Sequence, residues 1–266
     1  MSELTLTATR TQPGWLTAAA GDSRALIARC LRLSLRNVDG LITALALPIM
    51  LMLMFVYLFG GALKTGSSYV NYVVPGVLLV CAGFGTATTA VTVAHDMTGG
   101  IIDRFRSMDI PASALLTGHV VASVARNLIS TALVFGVAFA IGFRPHAGAA
   151  AWLAAAGVLA LAMVALSWFA ATIGLLVRSP EAASGATFLI SFLAYPTSAF
   201  VPIATMPGWL RGFAANQPVN AVIEALRGLL LTGTAGTAVW HAVIWSLGIT
   251  AVSVAAAASA FRLRTR

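Results

Sequence analysis

A chain of 266 residues that is 59% hydrophobic, 9% charged and +0.91 in mean hydropathy is too apolar for a water-soluble domain, since such domains run at about 45–50% apolar residues. The net charge of +8 does not point to nucleic acid, because the basic residues lie scattered at the ends of apolar runs rather than on one aromatic-bearing face. An integral membrane protein remains, helical rather than a barrel, since the apolar runs are continuous over about 20 residues and lack the alternation of a lipid-facing strand.

Residues 1–20 are polar, rich in Thr and Ala, and read as a disordered cytoplasmic tail without the apolar core of a secretory signal. From Asp22 to Asn37, Ala25, Leu26, Cys30 and Leu33 supply an apolar face, while Arg24, Arg29, Arg32 and Arg36 can reach anionic headgroups. That is the composition of a helix lying in the interface plane; the plainer alternative is a leader whose cations only set topology. Cys30 and Cys81 have no paired spacing, so neither a disulfide framework nor a metal site is indicated. Leu41–Gly61 is uncharged and forms the first span, with Pro48 as a kink. Val73–Ala94 is the second; its Gly83, Gly85, Thr86, Thr88 and Thr89 are small residues that let helices approach closely. Thr86 and Thr89 are also candidates for lining a substrate path.

The next stretch, 95–113, gathers five of the chain's 24 charged residues between two apolar runs. At mid-membrane each Asp or Arg costs roughly 2.5–3.5 kcal/mol, which places this stretch in water as a loop. Within Gly99-Gly100-Ile101-Ile102-Asp103-Arg104-Phe105-Arg106-Ser107-Met108, the residues Ile101, Ile102, Phe105 and Met108 recur at helical spacing, and Asp103, Arg104 and Arg106 fall on other faces. This describes a short amphipathic helix with an apolar stripe open to a partner, or else a solvated loop whose charges fix topology.

Ala112–Phe143 is the third span, interrupted by His119 and Arg126. Arg126, with Asn127 beside it, is a candidate intramembrane site, unless its long side chain snorkels to the interface. Arg144-Pro145-His146 is a tight turn, Ala149–Val177 the fourth span, and Ser179-Pro180-Glu181 a helix start that leads into a fifth span over Ala182–Val201. The segment 203–230 mixes turn signals with two amphipathic pieces too short to cross a bilayer. Pro207, Trp209, Phe213, Pro218, Glu224 and Arg227 mark small helices at the outer interface, with Trp209 and Phe213 as anchors. Ala238–Ala260 is the sixth span, and three arginines close the chain.

With both termini inside, eleven Lys and Arg residues face the cytoplasm against four outside, Arg126 lying within a span; the positive-inside rule therefore makes the 95–113 loop cytoplasmic. No G-x-x-x-x-G-K-[ST] pattern occurs and the one lysine, Lys64, is on the outer side, so the chain has no P-loop for ATP. The four histidines are dispersed, and no catalytic constellation is visible. The spans carry no acidic residue, which argues against a proton-coupled carrier.

The run Gly100–Met108 resembles the loop signature of the ABC-2 type permeases, in particular their daunorubicin-resistance branch. A second block, Phe200-Val201-Pro202 with Met206-Pro207-Gly208-Trp209-Leu210, Gln217-Pro218-Val219 and Ala225-Leu226-Arg227, is similar to that family's stretch between its last two spans. Asp109-Ile110 before Pro111, and Gly118-His119 where the family commonly shows Gly-Arg, depart from the pattern.

The resemblance implies an all-α membrane domain over 21–266 with six spans, an interfacial helix, a cytoplasmic coupling helix and an outer re-entrant hairpin. Such a subunit is no enzyme and binds no cofactor itself. It pairs with an identical or homologous permease and with two copies of an ABC ATPase carrying ATP and Mg, and it exports amphipathic drugs, natural products or lipids across the bacterial inner membrane. Phe105 would then anchor residues 99–108 in the ATPase, oriented by Arg104 and Arg106. The competing functions are an ion-driven secondary carrier and a non-transporting scaffold or immunity protein.

Overall fold

The computed structural model describes residues 38–62, 68–99, 112–234 and 236–264, and all regular structure among them is helical. The expected interfacial helix at 22–37 and residues 100–108 of the expected coupling helix lie outside the described residues.

Helix α1, Val38–Met54, continues through a wider π turn at Phe55–Phe59. Pro48 lies inside it and brings no N–H to the ladder. Helix α2, Tyr69–Thr98, is 30 residues and so about 45 Å long. It is the centre of the molecule: Val73, Val74, Val77, Leu78 and Cys81 are fully buried, a helical repeat wide enough to face neighbours on more than one side. In its most apolar stretch 67% is buried, against 22% for the last helix.

Helix α3, Ala112–Ala140, ends in a Schellman turn. Phe143 N–H donates to Ala138 O at 2.9 Å and Gly142 N–H to Phe139 O at 3.2 Å. Gly142 holds φ at +103°, a conformation only glycine adopts without strain. Arg144 seals the corner, its guanidinium donating to the carbonyls of Phe139 and Phe143 and its backbone N–H to Asn71 Oδ1 at 3.0 Å.

Helix α4, Ala149–Leu176, is apolar almost all round and crosses α2 where Gly174 meets Ala90. Helix α5, Pro180–Ser191, starts as its sequence predicts. Ser179 Oγ accepts from Ala182 N–H at 3.2 Å, and hydrogen bonds from the Glu181 backbone N–H and from Ser179 hold the Glu181 carboxyl below the usual carboxylate range.

α5 does not run to Val201. It is 12 residues, about 18 Å, followed by one 3₁₀ turn at Phe192–Ala194 and then irregular chain. Pro196 accounts for the stop, because it has no N–H to donate and its ring would strike the carbonyl of Phe192. Two short helices follow, α6 at Gly208–Asn216 and α7 at Pro218–Arg227, the latter widening into a π turn at Gly228–Thr232. Helix α8, Thr237–Arg264, lies on the rim with Trp240, Ile244 and Val252 outward.

Among the described residues four helices are long and apolar enough to cross a membrane: Tyr69–Thr98, Leu115–Ala140, Ala149–Leu176 and Thr237–Ala260. The apolar part of the first helix, Leu45–Phe59, is shorter.

Candidate functional site

Three polar assemblies are built around α2, one near each end and one midway. At the end that leads into the charged segment, α2 continues through His95, Asp96, Met97 and Thr98 before Gly99 caps it, its N–H donating to His95 O at 2.9 Å. These residues are therefore helix and not the beginning of a loop. Thr89, Val93 and Asp96 follow one another on a single buried face, and Asp96 is 6% exposed. The carboxylate is accommodated there because His119 of α3 lies 3.0 Å from it, Nε2 to Oδ2. An acidic residue thus does sit within the second long helix. Insertion costs describe a lone charge, whereas a buried charge with a hydrogen-bonded partner is far cheaper.

Midway along the seam between α2 and α3 lies Arg126, 7% exposed. Its guanidinium does not snorkel outward. It crosses to α2 and donates to Gly85 O and Thr89 Oγ1, both at 2.9 Å. Asn127, fully buried beside it, packs directly on Gly85, where a Cβ would fall 1.8 Å from its Oδ1. Ser123 joins the stripe by accepting from Ser167 of α4 at 2.9 Å. Of the residues singled out for a substrate path, Arg126, Asn127 and Thr89 meet on this seam. Thr86 turns away from it, donates to Gly83 O and lines a separate cavity.

At the opposite end, α7 holds the irregular chain that follows α5. Arg227 stacks its guanidinium over the Tyr72 ring at 3.9 Å. It also donates to Ser198 O at 2.6 Å, Ser198 Oγ at 3.1 Å, Tyr72 O at 3.2 Å and Glu224 Oε1 at 2.8 Å. Asn220 Oδ1 accepts from Ser198 N–H at 3.0 Å, Gln217 donates to Pro196 O at 2.5 Å, and Tyr69 OH donates to Phe200 O at 2.8 Å. Pro218 is the first residue of α7, where a missing N–H costs nothing. On α6, Trp209 and Phe213 are 81% and 52% exposed, one helical turn apart, and Pro207 precedes the helix. Sequence reasoning singled out Glu224 and Arg227 but missed Gln217, Asn220, Ser198 and Tyr72 as parts of one network; the only linear signal was polar spacing along α7.

The cavity measures about 200 Å³ and has almost purely apolar walls, drawn from α2, α4, α5, α7 and α8. Gly83, Ala165, Phe169, Leu193, Val222 and Ile249 are among its lining residues. Among the described residues no acidic or basic side chain contributes to it.

Long apolar helices with polar side chains turned inward define a multi-pass membrane protein. The sequence matches the ABC-2 type transporter family over residues 22–231, and the chain belongs to that family, as a permease subunit of an ABC exporter. It is 30% identical over 211 residues to the daunorubicin resistance ABC transporter permease protein DrrB1 of Streptomyces coeruleorubidus, covering 79% of this chain and 72% of the relative. It is 26% identical over 232 residues to a probable doxorubicin resistance ABC transporter permease protein DrrC of Mycobacterium tuberculosis, covering 85% and 83%. A DrrB protein of the same organism is 28% identical over 191 residues, covering 68% and 64%. Permeases of this class work with an ABC ATPase and do not themselves supply the catalysis.

Proposed function

We propose that this chain is one of two permease subunits, identical or homologous, that two copies of a separate ATPase drive with ATP and Mg. In this reading residues 41–61 and 182–201 join the four long helices to make six passes across the bacterial inner membrane. Both termini are cytoplasmic. Segment 203–230 forms an outer re-entrant hairpin seated by Trp209 and Phe213, and Arg24, Arg29, Arg32 and Arg36 hold an interfacial helix on the inner headgroups.

Residues 99–108 are the coupling helix. Phe105 is its apolar anchor, and Arg104 and Arg106 orient it in the ATPase. The observation that carries this assignment is the buried Asp96–His119 contact, which ties together the two helices flanking that segment. A force applied there would reach α2 and α3 as a pair and bias the bundle between two arrangements. The relatives' names, for daunorubicin and doxorubicin resistance, support amphipathic drugs, natural products or lipids as cargo.

The test is co-expression with a P-loop ATPase of the ABC class, followed by co-purification and ATP-dependent efflux from vesicles. The pair Arg104→Ala with Phe105→Ala should abolish efflux and weaken ATPase association while membrane insertion stays normal. Unchanged efflux from that pair would remove the coupling role.

A further inference from the structure

We propose that the cavity beside Gly83 is a binding site for one acyl chain of a bilayer phospholipid, entering past Phe169 and Leu193. The first reason is its level in the membrane. Gly83 lies at the middle of the 30-residue α2, and Ile249 and Ala165 lie near the middles of α8 and α4. A helix of that length spans the hydrocarbon and more, so its midpoint is where acyl chains terminate.

The second reason is the chemistry of the walls. Thr86 donates its hydroxyl hydrogen to Gly83 O at 2.8 Å, Thr187 to Ala183 O at 2.8 Å and Ser191 to Thr187 O at 2.9 Å. Those hydrogens are spent within their own helices, Ser246 of α8 adds the one further hydroxyl, and among the described residues no charged group lines the site. An amphipathic cargo with several oxygens would leave most of its acceptors stranded there, an unfavourable exchange. A hydrocarbon chain loses nothing.

Size and access agree. An apolar void of about 150 Å³ in a protein core stays dry and takes up benzene; this one is about 200 Å³ and opens between Phe169 and Leu193, which are 37% and 41% exposed. Its rim continues into Phe188 and Phe192, both about half exposed, so the surface that meets the opening is apolar. Early termination of α5 makes the space, since Leu193 and Ala194 line it where a longer helix would have continued. Left empty, the walls would lack partner atoms and forfeit dispersion contacts that an acyl chain restores. The inference does not rest on the ATPase reading, because a non-transporting membrane protein with this cavity would hold the same chain.

The experiment uses the full chain reconstituted in phosphatidylethanolamine/phosphatidylglycerol vesicles doped with a phosphatidylcholine that carries a diazirine near the end of one acyl chain. After illumination, adducts are mapped by peptide mass spectrometry. Adducts are expected on 79–86 and 162–173, besides the openly lipid-facing Ile244 and Val252. Gly83→Leu should abolish the cavity adducts and leave those on α8 unchanged, because a Cβ at Gly83 meets nothing within 4 Å and the longer side chain fills the void without a backbone clash. Gly83→Ala should keep the cavity adducts, and labelling of α8 in every variant reports correct insertion. Cavity adducts that are absent, that survive Gly83→Leu, or that arise equally from a diazirine at the headgroup would overturn the proposal. So would their displacement by doxorubicin, which would make this a cargo site.

Discussion

Replacing Arg227 tests whether α7 is bolted to the top of α2 or only rests against it. The side chain is 13% exposed and makes four hydrogen bonds of 3.2 Å or less, besides covering the Tyr72 ring. Hydrogen bonds from a charged donor contribute about 1.5–3 kcal/mol each when measured singly, but these four share one guanidinium and do not add. The Glu224 contact is discounted to between about 0 and 1 kcal/mol, because that carboxylate side is 42% exposed. What dominates is the stranding of the Ser198 carbonyl together with loss of the ring contact, the latter about 0.5–2 kcal/mol.

Arg227→Ala should therefore cost about 3 kcal/mol, or about two orders of magnitude in the folded-to-unfolded ratio. Arg227→Lys keeps a cation over Tyr72 but cannot fork between two carbonyls, and should recover about half. Unfolding by sodium dodecyl sulfate titration in mixed micelles measures these losses, and a cycle with Tyr72→Leu isolates the ring term. An Arg227→Ala protein within about 0.5 kcal/mol of the parent would refute the bolt.

Removing one partner of the Asp96–His119 contact should destabilise by about 1–3 kcal/mol, since the other is left buried without that hydrogen bond. Asp96→Asn, which keeps a hydrogen-bonding head, should lose much less in the same titration. Gly174→Ala should force α4 away from α2, because its Cβ would lie 2.4 Å from Ala90 O, a backbone atom that cannot swing aside; overpacking of this kind costs about 1–3 kcal/mol. Gly157→Ala on the same helix meets nothing within 4 Å and should be silent, so equal effects from the two would refute the close crossing. Phe213→Ser should weaken the interfacial contact of α6 without unfolding the bundle, read as reduced quenching of Trp209 by shallow brominated lipid in a background where the other tryptophans are phenylalanine.

The four long helices were legible because hydrophobicity alone decides them. An uninterrupted apolar run of that length has few alternatives to helix in a bilayer, and the predicted and observed limits differ by a few residues. The fifth was read as one continuous helix to Val201, and it is not, because apolarity does not distinguish a helix from irregular chain whose polar groups find partners on other helices. Pro196 was the available signal, and it carried more information than the hydropathy around it. Asp96 was assigned to water because linear reading prices a charge alone, and its partner lies 23 residues further on. Arg227 was marked, but Tyr72, 155 residues away, could be found only in three dimensions. The reading of Arg126 as snorkelling was open until the approach of α2 put Gly85 O within reach.

All three polar assemblies share α2: Tyr72 near one end, Gly85 and Thr89 midway, Asp96 at the other. In hydrocarbon the packing of small residues against one another has no strong preference for one rotation of a helix over the next, because lipid is as apolar as the partner. Directional bonds do have that preference. Two of these sets join α2 to α3, so sliding or turning one against the other breaks contacts at two levels at once. Under the coupling proposed above, a push delivered between residues 99 and 112 therefore carries α2 and α3 as a single body. The displacement has to be taken up elsewhere, where contacts are apolar and non-directional. The apolar contacts around the cavity, between the α2 side of the bundle and the rim helices α5 and α8, meet that requirement. The stiff seam and the yielding one are adjoining faces of the same helix: Thr89 faces Arg126, while Gly83 and Thr86 line the cavity.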